Sequence, residues 1–178
     1  MKGEADVSAV SFLVDVRRLP ARGFPVRIAA DTAQCEALAA FHGLAAVRRF
    51  EADLLVRRWK GDGVIVTGTV TADIVQSCVV TLKPVEATVE EAIEAVLVPE
   101  GSALDAPHAG EIHVDPEGAD VPETFDGHEI DAGALAEEFF ELGIDPYPRH
   151  PDSGEFGQQG GDPGAHPFAA LADWRKKQ

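Results

Sequence analysis

The sequence predicts an α+β fold, a β-rich curved sheet or partly open barrel with two or three flanking helices. Three observations predict it. The strongest alternation of apolar and polar residues, Phe50 to Val56 and then Val64 to Ile74, straddles the turn Lys60-Gly61-Asp62-Gly63 and reads as a hairpin. Gly68 interrupts the apolar face of the return strand, as at a bulge or bend that curves a sheet. Two segments of helical spacing, each opened by an aspartate, flank these strands.

The elements follow in chain order. Phe12, Val14 and Val16 alternate with Leu13, Asp15 and Arg17, which fits a strand with one face toward a core, and Pro20 and Gly23 break it. A second strand over Val26 to Ala30 leads to Asp31, a helix cap whose reciprocal partner is Gln34 three residues on. That helix runs to about His42 and stops at Gly43. Cys35, Leu38 and Phe41 share its inner face, while His42 is a capping or surface residue.

After the hairpin, residues 87 to 98 fit two patterns. Val89, Ile93, Val96 and Leu97 suit one face of a helix better than the alternation suits a strand, so periodicity alone leans helical, and Pro99 ends the element. Asp131 caps a further helix in which Leu135, Phe139 and Leu142 share a face, with Gly143 at its end and Pro146 and Pro148 beyond. The expected organisation is therefore a β-rich core over 1–99 and an acidic, mobile connection over 100–128. A helix packed on the core follows over 129–148, then a flexible tail over 149–178.

A chain of 178 residues holds one core of ordinary size. Its net charge of −16 is unevenly spread. Residues 1–70 carry ten Lys or Arg against eight Asp or Glu, and residues 71–178 carry five against twenty-three. The acidic half repels phosphate backbones, so any RNA contact falls to the local basic positions Arg17, Arg18, Arg48, Arg49, Arg57 and Arg58. A basic protein is the easier partner. The apolar stretches are all shorter than the roughly 20 residues of a membrane span, and the start lacks an export pattern, so a cytoplasmic protein is expected.

Sites of chemistry are sparse. Neither a phosphate-binding glycine loop nor Gly-x-Ser-x-Gly occurs. Cys35 and His42 lie two helical turns apart, about 10 Å, too far for a nucleophile and its base. His108, His113 and His128 match no zinc spacing, and Cys35 and Cys78 read as buried thiols. Glu137 and Glu138, like Glu90 and Glu91, point about 100° apart on a helix and read as solvated charges. No enzymatic activity, metal or cofactor is expected.

Cys78-Val79-Val80-Thr81-Leu82-Lys83-Pro84-Val85, directly after the long strand, resembles the hallmark segment of the YceD family. Arg18-Leu19-Pro20, Glu129-Ile130-Asp131 ahead of Asp145-Pro146, and His166-Pro167-Phe168-Ala169-Ala170-Leu171 match further family blocks in order. The resemblance implies a β-rich domain with flanking helices, and it turns residues 87–98 into a strand. It also implies a part in accumulation of large-subunit ribosomal RNA. Many members carry a second cysteine where this chain has Thr81, whose neutral hydroxyl is no thiolate ligand, so a family zinc site does not carry over.

The expectation is an accessory factor that binds a pre-large-subunit RNA or a basic ribosomal protein. Its contacts are expected at Arg48, Arg49, Arg57, Arg58 and Trp59 and at Phe168, Leu171 and Trp174 of the tail. The family-motif positions are Cys78, Leu82, Pro84, Ile130 and Asp131. The alternative is an acidic holding chaperone for one basic ribosomal protein.

Overall fold

A computed structural model of the chain describes residues 8–102 and 122–154. Strand β1 (Leu13–Asp15) runs into a 3₁₀ turn (Val16–Arg18), then β2 (Phe24–Ala29), α1 (Thr32–Phe41), β3 (Ala46–Arg58), β4 (Val64–Ser77) and β5 (Pro84–Pro99). After the undescribed residues come β6 (Glu123–Phe125), β7 (Glu129–Asp131), α2 (Ala132–Leu142) and a second 3₁₀ turn (Pro151–Ser153). The main sheet has the order β2-β3-β4-β5-β6, antiparallel except for the last pair, and β1 with β7 makes a second, two-stranded sheet. The main sheet does not close on itself, in keeping with an open α+β arrangement.

Alternation in β3 and β4 sends Phe50, Ala52, Leu54 and Val56 to the same face as Val66, Val70 and Ala72, and that face is buried. Both helices pack against the sheet, and Phe140 of α2 meets Phe50 edge to face, with centroids 5.5 Å apart. Each of these rings is completely buried and contributes about 1.5–3 kcal/mol. The other face of the sheet carries Glu51, Asp53, Thr69, Thr71, Glu90 and Glu94.

Residues 87–98 lie inside a strand of sixteen residues paired along its length with β4, as the resemblance implies and against the helical lean of periodicity. Gly68 is not a bulge. It holds its place in both ladders, opposite Leu54 and Ile93, and the register shift falls between Val47 and Arg49. The reason for glycine is close approach, since a Cβ there would lie 2.1 Å from the carbonyl oxygen of Asp53.

The helices form where expected, but two faces differ. The α1 capping box is complete, with Asp31 accepting from Gln34 N–H and the Gln34 side chain from Asp31 N–H. Cys35, Leu38 and Ala39 are buried, whereas Phe41 is 62% exposed. In α2 the buried stripe is Ala132, Leu135, Ala136 and Phe140, and Leu142 is 78% exposed. Small residues let α2 come close: a Cβ on Gly133 would sit 1.9 Å from the Val10 carbonyl oxygen.

Two short strands went unforeseen. Strand β6 pairs with Leu97–Pro99 within the acidic connection, and β7 precedes the Asp131 cap. Residues 103–121 and 155–178 lie outside the described residues.

Candidate functional site

Two places concentrate chemistry. The first is a cavity of about 360 Å³ between the C-terminal end of α1, one flank of α2 and the segment ahead of β1. It is lined by Ser8, Ala9, Ala37, Phe41, His42, Ala134, Glu137, Glu138 and Glu141. Glu137 sits on the inner side of α2, four residues after Gly133 and three before Phe140, so its carboxylate points inward. One oxygen is hydrogen-bonded with His42 Nε2 at 2.9 Å, and the other accepts a short bond from the Ser8 hydroxyl. The His42 ring is only 3% exposed and stands edge to face against Phe140 at 5.3 Å and Phe41 at 5.0 Å.

His42 is thus the C-cap of α1, its N–H donating to the Leu38 carbonyl, but its ring is no surface group, and Glu137 is not a solvated charge. Burial brings the two together, because each needs a polar partner once removed from water. The carboxylate bonds hydroxyl and imidazole through different oxygens, so the Ser8 proton is given to Glu137 rather than to the ring. What the trio does is tie three chain segments together. At the mouth, burial pushes the Glu138 carboxyl up, helped by the charges of Glu123 and Glu141.

The second place is the turn from Cys78 to Pro84. Cys78 N–H donates to the Lys83 carbonyl at 2.8 Å, Leu82 N–H donates back to the Cys78 carbonyl at 2.9 Å, and Leu82 takes a φ of +59°. The buried Cys78 sulfur accepts from the N–H groups of Val80 and Thr81 at 3.5 and 3.4 Å. A backbone N–H from His150, the Thr81 hydroxyl and these two amides lower the thiol to about 6, against the opposing effect of burial. Across the turn, Val79 N–H donates to the Pro148 carbonyl and Lys83 pairs with Asp152 at 2.8 Å. Pro84 opens β5 opposite Ser77.

The donor set at this turn does not fit a zinc ion. Cys78 is a lone cysteine whose sulfur already accepts from the amides of Val80 and Thr81. Among the described residues no group of three His, Cys, Asp or Glu side chains is placed to share a metal.

Ile130 and Asp131 have clear structural work. Ile130 is buried and pairs with Val14. Asp131 accepts from the amides of Gly133 and Ala134 at the start of α2 and from Phe12 N–H and the Ser11 hydroxyl. Burial would raise its carboxyl, but those four bonds outweigh it and hold it low.

The arginines do not form one free basic face. Arg48 pairs with Glu86 at 2.7 Å, and Arg49 with Glu51 at 2.7 Å and Asp73 at 2.8 Å. Arg17 and Arg18 share Asp15, and Arg58 donates to the Arg17 carbonyl. Arg57 is exposed without an ion pair among the described residues, and Lys60 stands over the Trp59 ring at 4.9 Å. Phe168, Leu171 and Trp174 lie outside the described residues.

Among the described residues no helix is long and apolar enough to cross a membrane. The family model described as large ribosomal RNA subunit accumulation protein YceD matches residues 66–173, more than half of the chain. Comparison with curated proteins and with solved structures returns no match.

Proposed function

The chain belongs to the YceD family, which gives it a part in large-subunit ribosome biogenesis, and from that premise we propose a non-enzymatic accessory factor that binds a pre-ribosomal component in the cytoplasm. The observation that carries the reading is the family match, which runs from β4 through the Cys78 turn and α2. The electrostatics favour a protein over an RNA as the direct contact. Arg17, Arg18, Arg48 and Arg49 are already paired with carboxylates, so they have less charge to offer phosphates. Glu90 and Glu94, by contrast, stand exposed with no ion pair among the described residues.

Sedimentation of tagged protein through a ribosome gradient tests the reading. Co-migration with pre-large-subunit particles, and a fall in large-subunit ribosomal RNA on deletion, are the expected results. Absence from every such fraction with normal RNA levels would overturn it.

A second reading, a holding chaperone for one basic ribosomal protein, draws on the same unpaired glutamates. It expects salt-sensitive binding of that protein by purified factor in the absence of RNA, weakened by removal of residues 100–128.

A further inference from the structure

We propose that the edge of β5, left without a strand over Pro84 to Val96 among the described residues, is a strand-addition site for an extended, lysine- or arginine-bearing segment of a partner protein. β5 runs from Pro84 to Pro99, yet β6 covers it only at Leu97, Val98 and Pro99. Among the described residues, Pro84 to Val96 have no strand on that side. Backbone N–H and C=O groups at a sheet edge are a template for another strand. The stretch is open to solvent at every second position, Pro84 through Glu94.

Side chains choose the occupant. Glu86, Glu90 and Glu94 recur at every fourth residue on the polar face of the sheet, and Thr88 and Ala92 between them are small. Arg48 neutralises Glu86, while Glu90 and Glu94 have no ion pair among the described residues. A second copy of β5 is a poor fit. Antiparallel pairing centred on Glu90 sets Glu90 against Glu90 and Glu86 against Glu94, and like charges directly opposite are destabilising. Residues 103–121 hold five Asp or Glu and no Lys or Arg, so they meet the same repulsion. RNA phosphates are repelled too. A strand with Lys or Arg at every fourth position and small or β-branched residues between them answers both the hydrogen-bonding edge and the charge.

The inference rests on the reading above only for where the partner comes from. Its test uses purified full-length protein and a synthetic Thr- and Val-rich peptide with Lys at every fourth position, beside the same peptide N-methylated on alternate residues. The expected result is saturable binding that weakens with salt, with alternate amides between Val85 and Val96 gaining exchange protection. Binding should weaken about tenfold or more, both for the methylated peptide and for the E90K/E94K double variant.

Equal binding of the methylated peptide would reduce the site to bulk electrostatics and overturn the proposal, as would no binding at all. Protection of those amides in the free protein would overturn it as well, with a dimer mass assigning the edge to a second copy and a monomer mass to the chain itself. Peptide pairing without co-sedimentation sinks only the ribosomal reading. Co-sedimentation without peptide pairing sinks only the edge.

Discussion

At the scale of single residues, the most informative side chains are polar ones that the fold has buried. Glu137 holds His42 and Ser8 at once, so Glu137→Ala strands both. A loss of about 2–3 kcal/mol is expected in denaturant unfolding. Leu82 is the converse case, an exposed residue in a left-handed conformation that glycine adopts without strain. Leu82→Gly should raise stability by about 0.5–1 kcal/mol, read as a higher midpoint with an unchanged slope.

Cys78 makes a pH prediction. Its thiol is lowered to about 6 in the fold against an ordinary 9.0, so the folded state holds fewer protons than the unfolded one between those values. Stability from the thiolate is therefore complete above the unfolded value and is lost as pH falls through about 6. Thiolate ultraviolet absorbance, as the difference between wild type and Cys78→Ala, should titrate near 6, and titration at the ordinary thiol value would contradict the amide cradle.

The sequence disclosed the Cys78 turn through its motif but hid the Glu137 trio. Adjacent glutamates on a helix read as solvated because adjacency alone does not show which of them faces inward. A carboxylate in step with Gly133 and Phe140 was the available signal.

At the scale of elements, β5 shows why periodicity misleads. Val89, Ile93 and Leu97 are spaced by four, which is one helical turn and also two strand repeats, so both patterns share them. Positions 91, 95 and 96 discriminate, and Val96 favours the helix. Glu91 breaks the alternation, and it can face inward because the end of α2 lies beside it, where a Cβ on Gly143 would come 2.8 Å from the Glu91 side chain. In α2 the expected stripe holds at Leu135 and in part at Phe139, and fails at Leu142, which is exposed. The helix packs through Ala132, Leu135, Ala136 and Phe140, and Gly133 leaves no room for even a methyl group. Gly133→Ala is expected to cost about 1–3 kcal/mol and to speed amide exchange through α2.

The α2 cap carries its own prediction. Asparagine caps a helix about as well as aspartate, but Asp131→Asn takes the charge from four accepted bonds and should cost about 1 kcal/mol at neutral pH. Since the Asp131 carboxyl is held low, its contribution is present above the ordinary carboxylate range and lost as pH falls through the folded value. The gap between wild type and variant therefore closes in acid. A gap independent of pH would show that the charge is not what matters.

At the scale of the whole molecule, the asymmetry of charge was plain from composition, while its arrangement was not. Pairing across strands consumes much of the basic charge of the first half, because Arg27 faces Asp53 and Arg49 faces Asp73 in register. Register is a product of the complete sheet, so no local reading could supply it. These pairs are exposed, and exposed pairs contribute about 0–1 kcal/mol. Arg49→Ala should therefore leave the unfolding midpoint nearly unchanged.

The small β1–β7 sheet has a consequence in time. Asp131 bonds Ser11 across 120 positions of chain, and Ile130 covers Val14. As the chain leaves the ribosome, β2 to β5 can zip up by successive neighbouring pairings, whereas Val10 and Val14 wait uncovered until residues 129–140 emerge. Residues 10–15 are thus among the last to fold. Refolding followed by pulsed exchange should show β3 and β4 protected before β1, with the pairing of β1 and β7 as the slow phase.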